Sequence, residues 1–212
     1  MTAAETRRSV CDDPHVRSLS LHTSDGQRLA ADVAEAEAEA PIGGVVLCHP
    51  HPMYGGNRFN IVVDALFSAL PPAGFTTLRF DFRSAHDGGI GERLDVRAAL
   101  DALAGDGVPL FVVGYSFGAV VALTTNDPRT AGIVAVAPPL TPDVPAPTVP
   151  CLMLTPDHDQ YCPPERASAI AGGWTGVEIE VVESADHFLA GRTAAVAQRS
   201  VAWLSGRLAS SA

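Results

Sequence analysis

Pro109-Leu110-Phe111-Val112-Val113-Gly114-Tyr115-Ser116-Phe117-Gly118-Ala119 reads as a buried strand that breaks at a glycine, presents one serine and restarts as a helix. Its centre, Gly114 to Gly118, fits the pattern G-x-S-x-G. A strand-to-helix turn this tight leaves no room for side chains two positions either side of the serine. Glycines therefore stand there, and the serine is forced into a strained backbone conformation with its hydroxyl exposed above the sheet edge. The helix that starts at this point turns its free N–H groups and positive dipole end toward any negative charge that develops. The alternative reading is a glycine-bounded junction with a surface serine, so the pattern needs partners elsewhere in the chain.

The rhythm on either side agrees with a βαβ architecture. Val45-Val46-Leu47-Cys48, Thr77 to Phe80, Leu110 to Val113, Gly132 to Val136, Cys151 to Leu154 and Val177 to Val182 read as strands. Helix-length segments separate them near 58–70, from Glu92 to Ala104, after Ser116, and from Thr193 to Leu208. Apolar strands alternating with helices predict an α/β fold, a mostly parallel doubly wound sheet with helices on both faces. Val16 to Leu21 and Leu29 to Val33, joined by the turn at Ser24-Asp25-Gly26, predict an antiparallel N-terminal edge. The Ala/Glu repeat from Ala34 to Ala40 reads as an exposed connection. Residues 138–150 hold six prolines, which forbids a helix and leaves too little chain for a cap domain, so an open site is expected. Residues 1–14 read as a flexible leader before a single domain over 15–212.

At 212 residues, with 47% apolar and 18% charged residues, the chain can bury a large core and is not a disordered composition. The net charge of −10 disfavours nucleic acid or an anionic membrane surface as a partner. Cys11, Cys48, Cys151 and Cys162 lack a C-x-x-C spacing and read as small core residues rather than a zinc site or disulfide framework. No apolar signal region or membrane-length run is present, so a cytoplasmic protein is expected.

A nucleophilic Ser116 needs a base, and the base needs an orienting carboxylate, on loops at the carboxyl ends of the strands. Of seven histidines, His15 and His22 belong to the leader and edge, His86 to a loop, and His158 stands beside the candidate acid. His187, in Glu183-Ser184-Ala185-Asp186-His187-Phe188, follows a strand and precedes the last helix, in the chain order serine, acid, histidine. The acid comes from Leu154-Thr155-Pro156-Asp157-His158-Asp159. Asp159 is preferred because the turn through Pro156 should carry it back toward the sheet edge; Asp157 stays open, with Asp143 a weaker third option. An oxyanion hole needs two fixed N–H donors. One is Phe117, after the serine. The other comes from His49-Pro50-His51-Pro52-Met53-Tyr54-Gly55-Gly56-Asn57, where the two prolines carry no N–H; His51 is favoured, with Met53 as the alternative. His49 and His51 have no carboxylate or cysteine spaced to complete a metal site.

These residues resemble the α/β-hydrolase superfamily, and more narrowly its small, lidless members close to dienelactone-hydrolase-like and prolyl-oligopeptidase-related serine hydrolases. Four stretches carry the likeness: Cys48 to Gly56, Thr77 to Arg83, the serine turn, and Asp159 with His187-Phe188, in family order across residues 44–190. The family's R-G-x-G-x-S loop corresponds to Arg83-Ser84-Ala85-His86-Asp87-Gly88-Gly89-Ile90-Gly91-Glu92, where the usual glycine and serine positions are altered. The resemblance implies a serine hydrolase acting on a small-molecule ester, thioester or lactone through Ser116, Asp159 and His187, with no metal or organic cofactor. Two other readings remain: a binding module that keeps the fold with a weak site, which only the altered 83–92 segment favours, and an acyltransferase using the same triad.

Overall fold

Three strands have every residue buried: β3 (Gly43–Cys48), β4 (Phe75–Phe80) and β5 (Leu110–Tyr115). A strand buried on both faces needs cover on both, so these three lie in the middle of the sheet. In the computed structural model, which describes residues 15–209, eight strands form one sheet in the order β1-β2-β4-β3-β5-β6-β7-β8. The expected leader over 1–14, with Cys11, lies outside the described residues. β1 (Val16–His22) pairs antiparallel with β2 (Arg28–Ala34), and β2 antiparallel with β4. The pairings of β3, β5, β6 (Thr130–Val136), β7 (Cys151–His158) and β8 (Val177–Asp186) are parallel. The sheet is therefore the expected α/β one with an antiparallel N-terminal edge.

Helices cover both faces. Val62, Leu66 and Phe67 of α1 (Ile61–Ala69) pack with Val196, Ala197 and Leu204 of α5 (Thr193–Ala209) on one side. On the other lie Val96, Ala99 and Leu100 of α2 (Glu92–Leu103), Ala119 and Ala122 of α3 (Phe117–Thr125), and Ala167 and Ala171 of α4 (Pro164–Ala171). Cys48, Cys151 and Cys162 are buried free thiols within this packing. No described helix is long and apolar enough to cross a membrane.

Three departures from the sequence reading have physical causes. α4 has no counterpart in it, because Pro163 and Pro164 read as a break. A proline in the first helical turn loses no hydrogen bond, however, and the buried stripe is only Ala167 and Ala171. α1 begins at Ile61 rather than near 58, since the Asn60 side chain accepts the Val62 N–H at 3.0 Å and caps the helix there. β7 and β8 run past Leu154 and Val182 to His158 and Asp186, with a register shift between Pro156 and His158. β8 is an edge strand with many exposed positions, so its polar tail carries no apolar signature. The proline-rich segment 138–150 is irregular and contains no helix.

Candidate active site

Ser116 stands between β5 and α3 with φ 54° and ψ −117°, outside the regions open to an unstrained L-residue. Its N–H donates to the Val136 carbonyl at 2.9 Å, and its own carbonyl accepts from the Ala119 N–H at 3.0 Å. The turn holds this conformation by close backbone packing. A Cβ on Gly114 would stand 2.2 Å from the Gly118 carbonyl oxygen, and one on Gly118 2.4 Å from the Cys48 carbonyl oxygen. The second contact seats the serine turn against the end of β3, where the His49–Asn57 loop begins. Gly118→Ala should therefore lower the unfolding free energy by about 2–3 kcal/mol, read from urea titration, because the atoms the new Cβ meets, the Cys48 and His49 carbonyls, are backbone and cannot swing aside.

The carboxyl ends of β7 and β8 bring two further groups to the serine. Ser116 Oγ lies 2.9 Å from His187 Nε2. His187 Nδ1 lies 2.8 Å from Asp159 Oδ2. Both partners are nearly fully buried, His187 at 5% exposure and Asp159 at 4%. Asp159 Oδ1 accepts the backbone N–H groups of Tyr161 and Cys162 at 2.8 and 3.0 Å, which locks the carboxylate's rotation and leaves Oδ2 for the ring. The His187 backbone is pinned as well. Its N–H donates to Gln160 Oε1 at 3.2 Å, and its carbonyl accepts the Tyr115 hydroxyl at 2.9 Å. Burial pushes the Tyr115 hydroxyl's pKa well above the usual tyrosine range, so it stays protonated as a donor.

The competing carboxylates have other roles. Asp157 Oδ2 and Oδ1 accept the N–H groups of Ser184 and Ala185 at 2.7 and 2.8 Å, and these bonds hold its carboxyl below the ordinary aspartate range. Ser184 has φ 53°, so Asp157 secures a strained turn that delivers His187. Asp143 is exposed in the proline-rich segment. His15, His22 and His158 are exposed too.

The loop after β3 folds into a tight turn over Pro52–Tyr54. The His51 carbonyl accepts from the Tyr54 and Gly56 N–H groups, both at 3.1 Å. A Cβ on Gly56 would stand 2.0 Å from the Pro50 carbonyl oxygen, so the chain can double back only through glycine. Of the two open donors, the Met53 N–H is already given to His51 Nδ1 at 3.2 Å. The N–H groups of His51 and Phe117 have no hydrogen-bond partner among the described residues. His49 and His51 do not converge. His49 is buried, accepts the Phe82 N–H on Nε2 at 2.9 Å and faces the Pro50 carbonyl with Nδ1. Burial holds its ring below the ordinary histidine range, hence neutral.

A cavity of about 350 Å³ opens onto Ser116 and His187, lined also by His51, Tyr54, Phe117, Pro139, Tyr161 and Phe188. Among the described residues, no Asp, Glu, Lys or Arg lines it. Tyr54, Tyr161 and Phe188 are exposed large aromatics at its rim. Sequence reading missed Gln160, Tyr161 and the Tyr115 hydroxyl as supports of His187, because nothing local marks a side chain that touches a residue far along the chain. A larger cavity of about 630 Å³, between α2, α3 and the proline-rich segment, does not include Ser116 or His187.

The structure superposes on an alpha-beta serine hydrolase homologue from Coxiella burnetii with a TM-score of 0.80 at 28% identity, covering 89% of this chain and 97% of that one. It also superposes on an a/b serine hydrolase without lid from Xanthomonas campestris, with a TM-score of 0.77 at 25% identity, covering 88% and 92%. Its fold is the α/β-hydrolase fold, and the chain resembles the lidless serine hydrolases of that superfamily. In sequence the chain is 29% identical over 184 aligned residues to an uncharacterized protein of Rickettsia prowazekii (strain Madrid E), covering 74% of this chain and 77% of that protein. No family model matches it. Among the described residues no cap domain is inserted between the strands, and the 138–150 segment is short and irregular; the Xanthomonas protein is likewise without lid.

Proposed function

We propose that this chain is a carboxylesterase-like serine hydrolase that cleaves a small, uncharged ester by acyl transfer through Ser116. The observation that carries this reading is the unbroken row Ser116 Oγ, His187 Nε2, His187 Nδ1, Asp159 Oδ2, with contacts of 2.9 and 2.8 Å, on a serine held at positive φ. His187 takes the hydroxyl proton as Oγ bonds to the ester carbonyl carbon, and the carbonyl π pair moves to oxygen. Asp159 fixes the ring with its proton on Nδ1 and stabilises the imidazolium. The Phe117 and His51 N–H groups receive the oxyanion; each such donor is worth about 3–4 kcal/mol of barrier. Collapse breaks the bond to the alcohol oxygen, which leaves with the proton from His187. Water, deprotonated by the same ring, then releases the acid and restores Ser116. A thioester or lactone carbonyl fits the same steps.

A fluorophosphonate probe tests the nucleophile. Stoichiometric phosphonylation at Ser116, located by peptide mass spectrometry, is the expected result; a folded protein that stays unlabelled would support the binding-module reading instead. The cavity lining adds a substrate expectation. A carboxylate on the acyl chain would lose water there with no cation to meet it. A neutral aryl butyrate should therefore exceed the matching aryl hemisuccinate in kcat/KM by about 10-fold or more, and equal values would remove the neutral-ester reading.

A further inference from the structure

A second row of hydrogen bonds runs behind the His49–Asn57 loop, and it ends in the 83–92 segment that departs from the family pattern. The Met53 N–H donates to His51 Nδ1 at 3.2 Å. His51 Nε2 lies 3.2 Å from His86 Nε2, and His86 Nδ1 lies 2.8 Å from Glu92 Oε1. Glu92 is fully buried at the start of α2 and also accepts the backbone N–H groups of Asp87 at 3.0 Å and Gly89 at 2.9 Å. Burial works against its charge, but those N–H groups outweigh it and hold the carboxyl below the usual glutamate range, so it is an acceptor.

Only one distribution of protons satisfies all these contacts while both rings are neutral. His51 Nδ1 accepts from an amide, so the ring's proton is on Nε2. That N–H donates to His86 Nε2, which must then be bare. The proton of His86 is on Nδ1 and donates to Glu92. Burial, then the neighbouring His86, hold His51 below the ordinary histidine range, in keeping with a neutral ring. The His51 ring also packs on Phe117, ring centres 4.7 Å apart, and His86 packs on Phe117 at 5.3 Å. Both candidate oxyanion donors, the Phe117 N–H and the His51 N–H, thus belong to residues that this row touches.

We propose that Glu92 and His86 are positioning residues for the candidate reaction: through His51 they hold the Pro52–Tyr54 turn, and with it the second oxyanion donor, in register with Ser116. The proposal rests on the acyl-transfer reading. It assigns a use to the altered 83–92 segment: where the family pattern has glycine and serine positions, this chain supplies an imidazole that reaches back to the donor loop. His86 touches no substrate; it acts through His51. Misplacing a donor of this kind by even about 1 Å is costly to a transition state and nearly neutral to ground-state binding.

Two measurements test it. In the wild-type protein, 15N–1H correlation spectra of the imidazoles should show His51 protonated on Nε2 and His86 on Nδ1; the opposite tautomer in either ring overturns the relay without reference to activity. The second compares His86→Phe, which keeps a ring against Phe117 but can neither accept nor donate, with His86→Gln, whose amide offers one acceptor and one donor. His86→Phe should lower kcat for a short-chain aryl ester by about 10-fold or more with KM within about twofold, and slow fluorophosphonate labelling of Ser116 in parallel. His86→Gln should recover kcat to within about threefold of wild type. Unchanged kcat and labelling in His86→Phe overturn the proposal alone. A wild-type Ser116 that the probe never labels overturns the acyl-transfer reading and this proposal with it.

Discussion

Ser116→Ala is expected to lower kcat on a short-chain aryl ester by at least about 10⁴-fold while leaving the fold intact. The substitution removes one oxygen whose hydrogen-bond partner is the His187 ring at 2.9 Å. Alanine occupies the same backbone site at the same strain, so the unfolding transition should move little. What remains is the weak catalysis of the oxyanion donors acting on a water-attacked ester. His187→Ala should cost about as much, and the double variant scarcely more than either alone, because the two groups move one proton together. Steady-state kinetics on the three variants, beside their thermal unfolding curves, check this. Activity within tenfold of wild type in Ser116→Ala would sink the mechanism.

The second large effect separates two carboxylates only two residues apart. Asp159→Asn is expected to lower kcat by about 10³–10⁴-fold. Asp159 Oδ1 accepts two backbone N–H groups, from Tyr161 and Cys162, so the asparagine must keep its carbonyl oxygen on that side. Its NH2 then faces His187 Nδ1. A donor there requires Nδ1 to be bare, which moves the ring proton to Nε2, the atom that has to receive the serine proton. The geometry survives and the tautomer is wrong. Asp157→Asn meets the N–H groups of Ser184 and Ala185, with the exposed His158 ring 3.8 Å away, and does not touch His187. It should leave kcat within about threefold and lower the melting temperature, since one of its two accepting positions becomes a donor facing a donor. Equal losses of kcat in the two variants would mean that the orienting carboxylate is misassigned.

Much of this site was legible in linear form. G-x-S-x-G marks a junction whose glycines are demanded by backbone contacts of 2.2 and 2.4 Å, and that demand is written in residue types because only glycine lacks a Cβ. The central strands β3 and β5 advertise themselves, since burial on both faces leaves a nearly continuous apolar run. The chain order of Ser116, Asp159 and His187 follows from which strands end at the same edge. Edge strands and supports advertise much less. The polar ends of β7 and β8 face solvent or turn, so their extension to His158 and Asp186 could not be read from hydrophobicity. α4 was hidden by its two leading prolines and its small buried stripe of Ala167 and Ala171.

The sequence by itself therefore determined the α/β architecture, the antiparallel edge, the serine turn and the candidates for its partners, because each depends on local sterics or on burial pattern. Tertiary structure alone decided which carboxylate meets His187. Asp159 meets the ring while Asp157 holds the Ser184 and Ala185 N–H groups, beside a register shift between Pro156 and His158 that belongs to two paired strands and not to either one. Tertiary structure also decided that Met53 is occupied by the His51 ring and that His86, thirty-five positions away, stands behind His51. Hydrogen bonds between side chains distant in sequence depend on angles and distances of a few tenths of an ångström. Those are set by how the sheet and its loops pack together, and no stretch of residues carries them on its own.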